Sequence, residues 1–405
     1  MSDKGNIGQF SRADFVRLIT NRVKAVGAGK NAPVRDLYSY APNKLAAQLH
    51  PHIQMLRIKQ VITHNPDMKS FIFEPDAEKG TKELAWFSAG QYIVVLVAVD
   101  GKYYSRPYSI ASSPADTLRG ELRITVKRVD GGIASGHMLD CWKEGDGVIA
   151  SAPLGEFTHE PLRDAKTVVG IAGGSGITPF RAFAKAILEG DEDFNLVLLY
   201  GSRTLKDAVF SDELAAWAEE CPKIKLVNVL SEEKKKGCRN GFITAKLIRE
   251  YAPKDEDYSI FLCGPQAMYD FADKEIATLG IRRKFVRHEL FGEYFHPERD
   301  EAYTGDIEKT YRLTVRMGDK ELTTDCPAGT SLLRAMEAAG LCPPSDCRSG
   351  RCGWCRSQLV SGEVYVPQSV DGRRMADKLY GYIHPCCSFP LSDVSIIVPP
   401  VPYGE

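Results

Sequence analysis

The sequence predicts a multidomain chain of α/β plus β class: a short helical N-terminal extension, an antiparallel β-barrel, a parallel α/β domain and a small β-rich C-terminal domain. Three observations carry this expectation. Short runs rich in Val, Ile, Phe and Tyr, separated by turn signals, occupy Met55 to about Phe157. Buried-strand runs then alternate with helical stretches from Thr167 to about Phe295. The last six cysteines crowd together between Cys342 and Cys387.

Taken in order, residues 1–52 read as the helical extension: Ser11 and Asp14 fit a capping box, Phe15, Ile19, Val23 and Val26 share one helical face, and a second helix fits Asn43 to Leu49. They carry no evident chemistry. Residues 53–161 form the barrel, with turns at Asn65-Pro66 and Asp100-Gly101. Residues 162–295 form the parallel domain through the runs TVVGIA, NLVLLY, KIKLVNVL and YSIFLC, each followed by helical or turn sequence. The polar stretch 296–309 reads as a flexible linker. Residues 310–405 open with the hairpin YRLTVRMGDKELTTD and continue as a helix from about Ser331, with Leu332, Leu333, Met336 and Ala339 on one side and Gly340 as its stop.

Composition excludes several function classes. Hydrophobic residues make up 43% and charged residues 26%, and a net charge of -1 leaves no field to attract polyanions, so nucleic acid is excluded as a partner. No stretch supplies the roughly 18 uncharged residues of a membrane helix, and no signal peptide accompanies the cysteines, which predicts a cytoplasmic protein. Clustered cysteines then point to metal.

In CRSGRCGWC, four residues separate Cys347 from Cys352 and two separate Cys352 from Cys355, with Cys387 about thirty residues on, which is the plant-type [2Fe–2S] spacing. Three thiolates must converge on one small cluster from a single loop, and Gly350 and Gly353 allow that tight wrap. A structural zinc site would show two short Cys pairs, and only Cys352/Cys355 is one. Free core thiols are the remaining alternative.

Two further groups of motifs precede it. RPYSIASS places the cation Arg106, the ring of Tyr108 and the hydroxyl of Ser109 together, suited to the phosphate, the isoalloxazine ring and the N5 edge of a flavin. GGIAS offers Gly132 and Ser135 to a diphosphate at a helix start, where Ser135 is otherwise a simple N-cap. After the strand TVVGIA, GGSGITPF supplies Gly173, Gly174 and Gly176 for close approach to a second diphosphate, and Pro179 for a first helical turn. FLCGPQAM ends a later strand with Cys263, Gly264 and Pro265, and YGSR puts Arg203 after the second strand, where it can catch a 2′-phosphate or stack on adenine. Glu289, in RHELFGEYF just after the nucleotide sheet, is read as a solvated residue, with contact to the nicotinamide or a flavin proton as the alternative.

In this order, RPYS, GxxS, GGSGITP and CGP resemble the ferredoxin–NADP reductase superfamily over roughly residues 53–295, and the last 90 residues resemble plant-type ferredoxins. The resemblance implies a flavin-binding β-barrel, a nucleotide-binding α/β domain and a C-terminal β-grasp ferredoxin domain, in the order of the phthalate dioxygenase reductase type. It gives Arg106 to flavin phosphate, Tyr108 and Ser109 to the isoalloxazine, Gly132 and Ser135 to the FAD diphosphate, Gly174, Gly176 and Thr178 to nicotinamide nucleotide, and Cys263 to the hydride-transfer face. It makes Cys387, directly before Ser388, the fourth cluster ligand.

The implied function is an NAD(P)H:acceptor oxidoreductase using FAD, a [2Fe–2S] cluster and NADH, with NADPH as the alternative donor. Ser109 and Cys263 are its expected catalytic residues, and its expected partner is a redox protein such as an oxygenase or another metalloenzyme component. The alternatives are a diaphorase for small acceptors and a non-enzymatic redox-sensing module.

Overall fold

The computed structural model describes residues 12–30, 40–49, 51–289 and 292–399, which fall into two compact units, 1–49 and 50–405. The first unit consists of α1 (Arg12–Lys30) and α2 (Ala41–Leu49), and α1 leaves Phe15, Ile19, Val23 and Val26 exposed. The expected Ser11/Asp14 cap lies outside the described residues. No helix among the described residues is long and apolar enough to cross a membrane.

The second unit opens with strands β1 (Ile53–Asn65), β2 (Met68–Pro75), β3 (Tyr92–Val99), β4 (Lys102–Ser109), β5 (Leu122–Lys127) and β6 (Gly147–Ser151), with helices α3 (Pro114–Leu118) and α4 (Ile133–Cys141) between them. The sheet runs β4-β3-β6-β1-β2-β5, antiparallel throughout. A bridge between Ile110 and Ile124 brings its two edges together, which makes the barrel. Alternate residues of each strand face inward, so Leu56, Ile58, Phe71, Phe73, Ile93, Val95 and Ile124 form one core.

Next come β7 (Thr167–Gly173), α5 (Thr178–Glu189), β8 (Asn195–Ser202), α6 (Ser211–Glu220), β9 (Ile224–Leu230), β10 (Arg239–Asn240), α7 (Ala245–Tyr251), β11 (Tyr258–Cys263), α8 (Gln266–Ala277) and β12 (Val286–Glu289). The strands are all parallel, in the order β10-β9-β8-β7-β11-β12. Strand order reverses between β7 and β11, and a ligand crevice opens at the carboxyl ends of such a pair.

The last part holds β13 (Thr310–Met317), β14 (Lys320–Pro327), α9 (Leu332–Ala338), β15 (Ser357–Ser361), β16 (Val364–Tyr365), α10 (Met375–Leu379), β17 (Tyr382–Ile383), β18 (Phe389–Pro390) and β19 (Val394–Val398). A mixed sheet in the order β14-β13-β19-β15-β17 grips α9, whose Leu332, Leu333 and Met336 enter the core and whose Ser331 hydroxyl caps the Arg334 N–H. This is the β-grasp arrangement. The segment before it is packed rather than free: Pro297 is buried and the Tyr303 ring meets Tyr365 edge-on at 5.2 Å.

Candidate active site

The glycine turn after β7 and the CGP turn after β11 interlock. A Cβ on Gly176 would lie 2.1 Å from the Cys263 carbonyl oxygen, one on Gly173 would lie 2.5 Å from the Met268 sulfur, and one on Gly264 would lie 2.2 Å from the Met268 methyl. Only bare backbone lets the turns meet this closely. Together they floor a cleft of about 680 Å³, lined also by Arg203, Lys206 and Lys127. Thr178 is buried and its hydroxyl donates to the Ser175 carbonyl at 2.7 Å, so that group closes its own turn; Pro179 sits in the first turn of α5, as expected.

β4 ends in Arg106–Ser109, with Ser109 opposite Tyr92 of β3. The Tyr108 hydroxyl donates to the Met138 sulfur of α4 at 3.2 Å, so its ring is steadied beside that helix. Gly132 precedes α4, and no side chain caps the helix start. Ser135 spends its hydroxyl locally, accepting the Val129 N–H at 3.1 Å and donating to the Gly132 carbonyl at 3.3 Å. An uncapped helix start behind a glycine is open to a diphosphate.

Arg106 is engaged by a group that sequence patterns did not reveal. Its guanidinium reaches Glu337 of α9 at 3.0 Å. Arg348, inside the cysteine loop and 2% exposed, also holds Glu337 through two bonds of 2.8 Å and binds Glu293; Arg334 completes the set on Glu293 at 3.3 Å. Ser105 and Ser345 bond hydroxyl to hydroxyl at 2.5 Å alongside. Three guanidinium groups thus face two carboxylates. One positive charge is in excess, and Arg106, the partly exposed first residue of the flavin motif, suits a phosphate.

The cysteine loop is held by backbone conformations that favour glycine: Gly350 at φ 78° and Gly353 at φ 74°, with Arg348 itself at φ 57°. The Cys347 sulfur accepts N–H groups of Ser349 at 3.5 Å and Cys352 at 3.3 Å, and the Cys352 sulfur accepts that of Trp354 at 3.4 Å. A hydrogen bond from Cys352, assisted by Ser349, lowers the Cys347 thiol to about 5. The thiols pair: Cys347 with Cys352, and Cys355 with Cys386 at 3.4 Å. No three potential ligands among the described residues converge on a single-ion centre. Two pairs match the two thiolates that each iron of a [2Fe–2S] cluster requires, whereas one zinc needs all four around one point. Cys387, the expected fourth ligand, points its sulfur elsewhere, to the His384 carbonyl at 3.5 Å.

The three sites converge. Cys263 pairs in register with Glu289, Tyr92 pairs with Ser109, and the Cys347 thiolate acts electrostatically on both Glu289 and Tyr92. Glu289 is buried, at 8% exposure, contrary to its solvated reading; burial, reinforced by Cys347, pushes its carboxyl up to about 8. The Cys263 thiol is raised by burial and so stays neutral.

Residues 55–159 match the oxidoreductase FAD-binding domain family, 171–274 the oxidoreductase NAD-binding domain family and 315–391 the 2Fe-2S iron-sulfur cluster binding domain family. The ferredoxin reductase component of 3-ketosteroid-9-alpha-monooxygenase from Mycobacterium tuberculosis is 30% identical over 355 residues, 85% of this chain and 95% of that protein. NADH oxidoreductase HCR from Escherichia coli is 28% identical over 311 residues, 76% of this chain and 88% of that one. The solved structure of phthalate dioxygenase reductase superposes with a TM-score of 0.62 at 26% identity, covering 86% of this chain and 98% of its own. The protein is an oxidoreductase that carries electrons from a nicotinamide cofactor through flavin to an iron–sulfur cluster and on to a redox partner. Its three domains, in this order, make the chain a member of the ferredoxin–NADP reductase superfamily with a C-terminal [2Fe–2S] domain.

Proposed function

We propose that this protein passes electrons from NADH to a metalloenzyme component, an oxygenase first among the candidates, and does so in the cytoplasm. The observation that carries it is the meeting of Cys263, Ser109 with Tyr92, and Cys347 around Glu289. The M. tuberculosis relative is by name part of a monooxygenase, which supports an oxygenase as acceptor.

When bound, the flavin supplies the exchange between a two-electron hydride donor and a one-electron cluster. Positioning is then the protein's chief contribution. We assign the interlocked Gly173–Gly176 and Cys263–Pro265 turns to hold the nicotinamide nucleotide, with Arg203 at its adenosine end. Arg106, Tyr108, Ser109, Gly132 and Ser135 remain the flavin set, Ser135 by shaping the loop. For the cluster we take Cys347, Cys352 and Cys355 with Cys386 in place of Cys387, because the Cys386 sulfur faces Cys355. Domain boundaries near residues 161, 295 and 309 fit the gaps between the three sheets.

Turnover tests this function. Rapid NADH oxidation that depends on a protein acceptor is expected. Rapid reduction of small acceptors alone would make the protein a diaphorase, and absence of turnover a sensor. A tenfold better specificity constant for NADPH would overturn the choice of NADH.

A further inference from the structure

The short helix α10 is built inside out. Its buried residue is Asp377, held by Arg356 at 3.1 Å, while Met375 and Leu379 stand 82% and 74% exposed and Tyr380, next in the chain, 68%. Helices of folded domains turn apolar residues inward, so an apolar cluster left in water marks a surface that another molecule covers. The helix flanks the cysteine loop. Gly372 lies so near that a Cβ there would be 2.4 Å from the Gly350 carbonyl oxygen, and Arg356, which holds Asp377, directly follows Cys355. On the loop itself Cys352 is exposed and Trp354 is 38% exposed.

The charged side chains around this face carry a positive excess. Asp371 is taken by Arg373 at 2.8 Å and Lys378 at 2.9 Å, and Asp377 lies buried under Arg356, so both nearby carboxylates are neutralised. Arg351 and Arg374 are exposed, and neither has an ion-pair partner among the described residues. The excess is positive, although the whole chain carries a net charge of -1.

We propose that α10, together with Arg351 and Trp354, is the docking surface for an electron-accepting protein whose contact face has an apolar centre and an acidic rim. The proposal rests on the function above, since an acceptor must approach the cluster at its exposed side. An apolar centre supplies attachment, and opposite charge supplies orientation and a fast encounter.

The test uses the full-length protein with its cofactors and two probe acceptors of opposite charge, acidic cytochrome b5 and basic cytochrome c, with NADH as donor and rising salt. Reduction of cytochrome b5 should slow as salt rises, and that of cytochrome c should not. Arg351→Glu with Arg374→Glu should slow cytochrome b5 about tenfold at low salt and speed cytochrome c. Met375→Ser with Leu379→Ser should slow cytochrome b5 without changing its salt dependence. The visible spectrum of each variant and the anaerobic reduction of its flavin and cluster by NADH are recorded alongside. If flavin and cluster are reduced normally but the charge reversals move neither acceptor, or if rising salt slows cytochrome c and not cytochrome b5, the docking surface is wrong while the function stands. If NADH reduces neither flavin nor cluster in the unaltered protein, the function fails and the surface with it. A dimer in solution that Leu379→Ser abolishes would assign the face to a second copy and overturn the proposal.

Discussion

Cys386 and Cys387 are chain neighbours with opposite fates, because consecutive residues of extended or tightly turned backbone point to different sides. Cys386 meets Cys355, whereas Cys387 packs beside Gly350 and bonds the His384 carbonyl. Cys386→Ser should therefore abolish the cluster's visible absorption, and Cys387→Ser should leave it nearly intact. The reverse pattern would return the ligand to Cys387. His64 is a second residue with a measurable signature: burial, aided by Arg123, pushes its imidazole down to about 4, and its ring meets Ser70 at 2.8 Å and the edge of Phe210. The unfolded chain takes up this proton below about pH 6.5 and the folded chain only near 4, so stability is lost as pH falls between those values. The imidazole is partly exposed, and screening reduces the effect to about 1 kcal/mol at pH 5. Buried carboxyls such as Glu289 act in the opposite sense over the same range, so the His64 share is read as a difference: in urea unfolding at pH 7 and 5, the change in stability should be about 1 kcal/mol more favourable for His64→Gln than for the unaltered protein.

At the scale of elements, β4 and α9 are tied by ions. Glu337 joins Arg106 of the flavin strand to Arg348 of the cysteine loop, so one ion network fixes these two segments against each other and would fix the groups they hold. Arg348→Met would leave Glu337 and Glu293 buried with much of their charge unpaired, a cost of about 3–5 kcal/mol, visible as a large fall in Tm. Glu337→Gln keeps the shape and removes the charge: flavin reduction by NADH should be unchanged, while electron passage from flavin to cluster slows on the order of tenfold. Stopped-flow absorbance follows both steps. The glycine turns make a separate prediction, because a methyl group on Gly176 would overlap the Cys263 carbonyl. Gly176→Ala should raise KM for NADH about tenfold or more and leave flavin content unchanged.

Across the whole molecule, what was legible in the sequence was local. The strand runs, the RPYS and GGSGITP turns and the cysteine spacing are short patterns with their own chemistry, and the sheets and helices form where those patterns indicate. Long-range partners were not legible: Glu337 lies 231 residues from Arg106, and nothing in the helix LLRAMEA distinguishes it from an ordinary helix carboxylate. The burial of Glu289 was hidden for the same reason, since its surroundings include Cys263, paired with it from the neighbouring strand, and Cys347, 58 residues further along the chain. The choice between Cys386 and Cys387 turned on a single step of backbone direction. The expected flexible linker is instead packed, Tyr303 against Tyr365, and the Ser105–Ser345 and Arg106–Glu337 bonds hold the cysteine-rich domain against the flavin strand.

That fixed arrangement makes the cluster the conduit from flavin to partner, and Cys352→Ser tests this most directly. The variant and the unaltered protein are mixed anaerobically with NADH in a stopped-flow instrument, and reduction of ferricyanide and of a protein acceptor is then measured for each. The account predicts that the variant reduces its flavin and ferricyanide at near the normal rate and loses transfer to the protein acceptor. A variant that lacks the cluster yet still reduces the protein acceptor at near the full rate would contradict it, and would move the exit of electrons to the flavin domain.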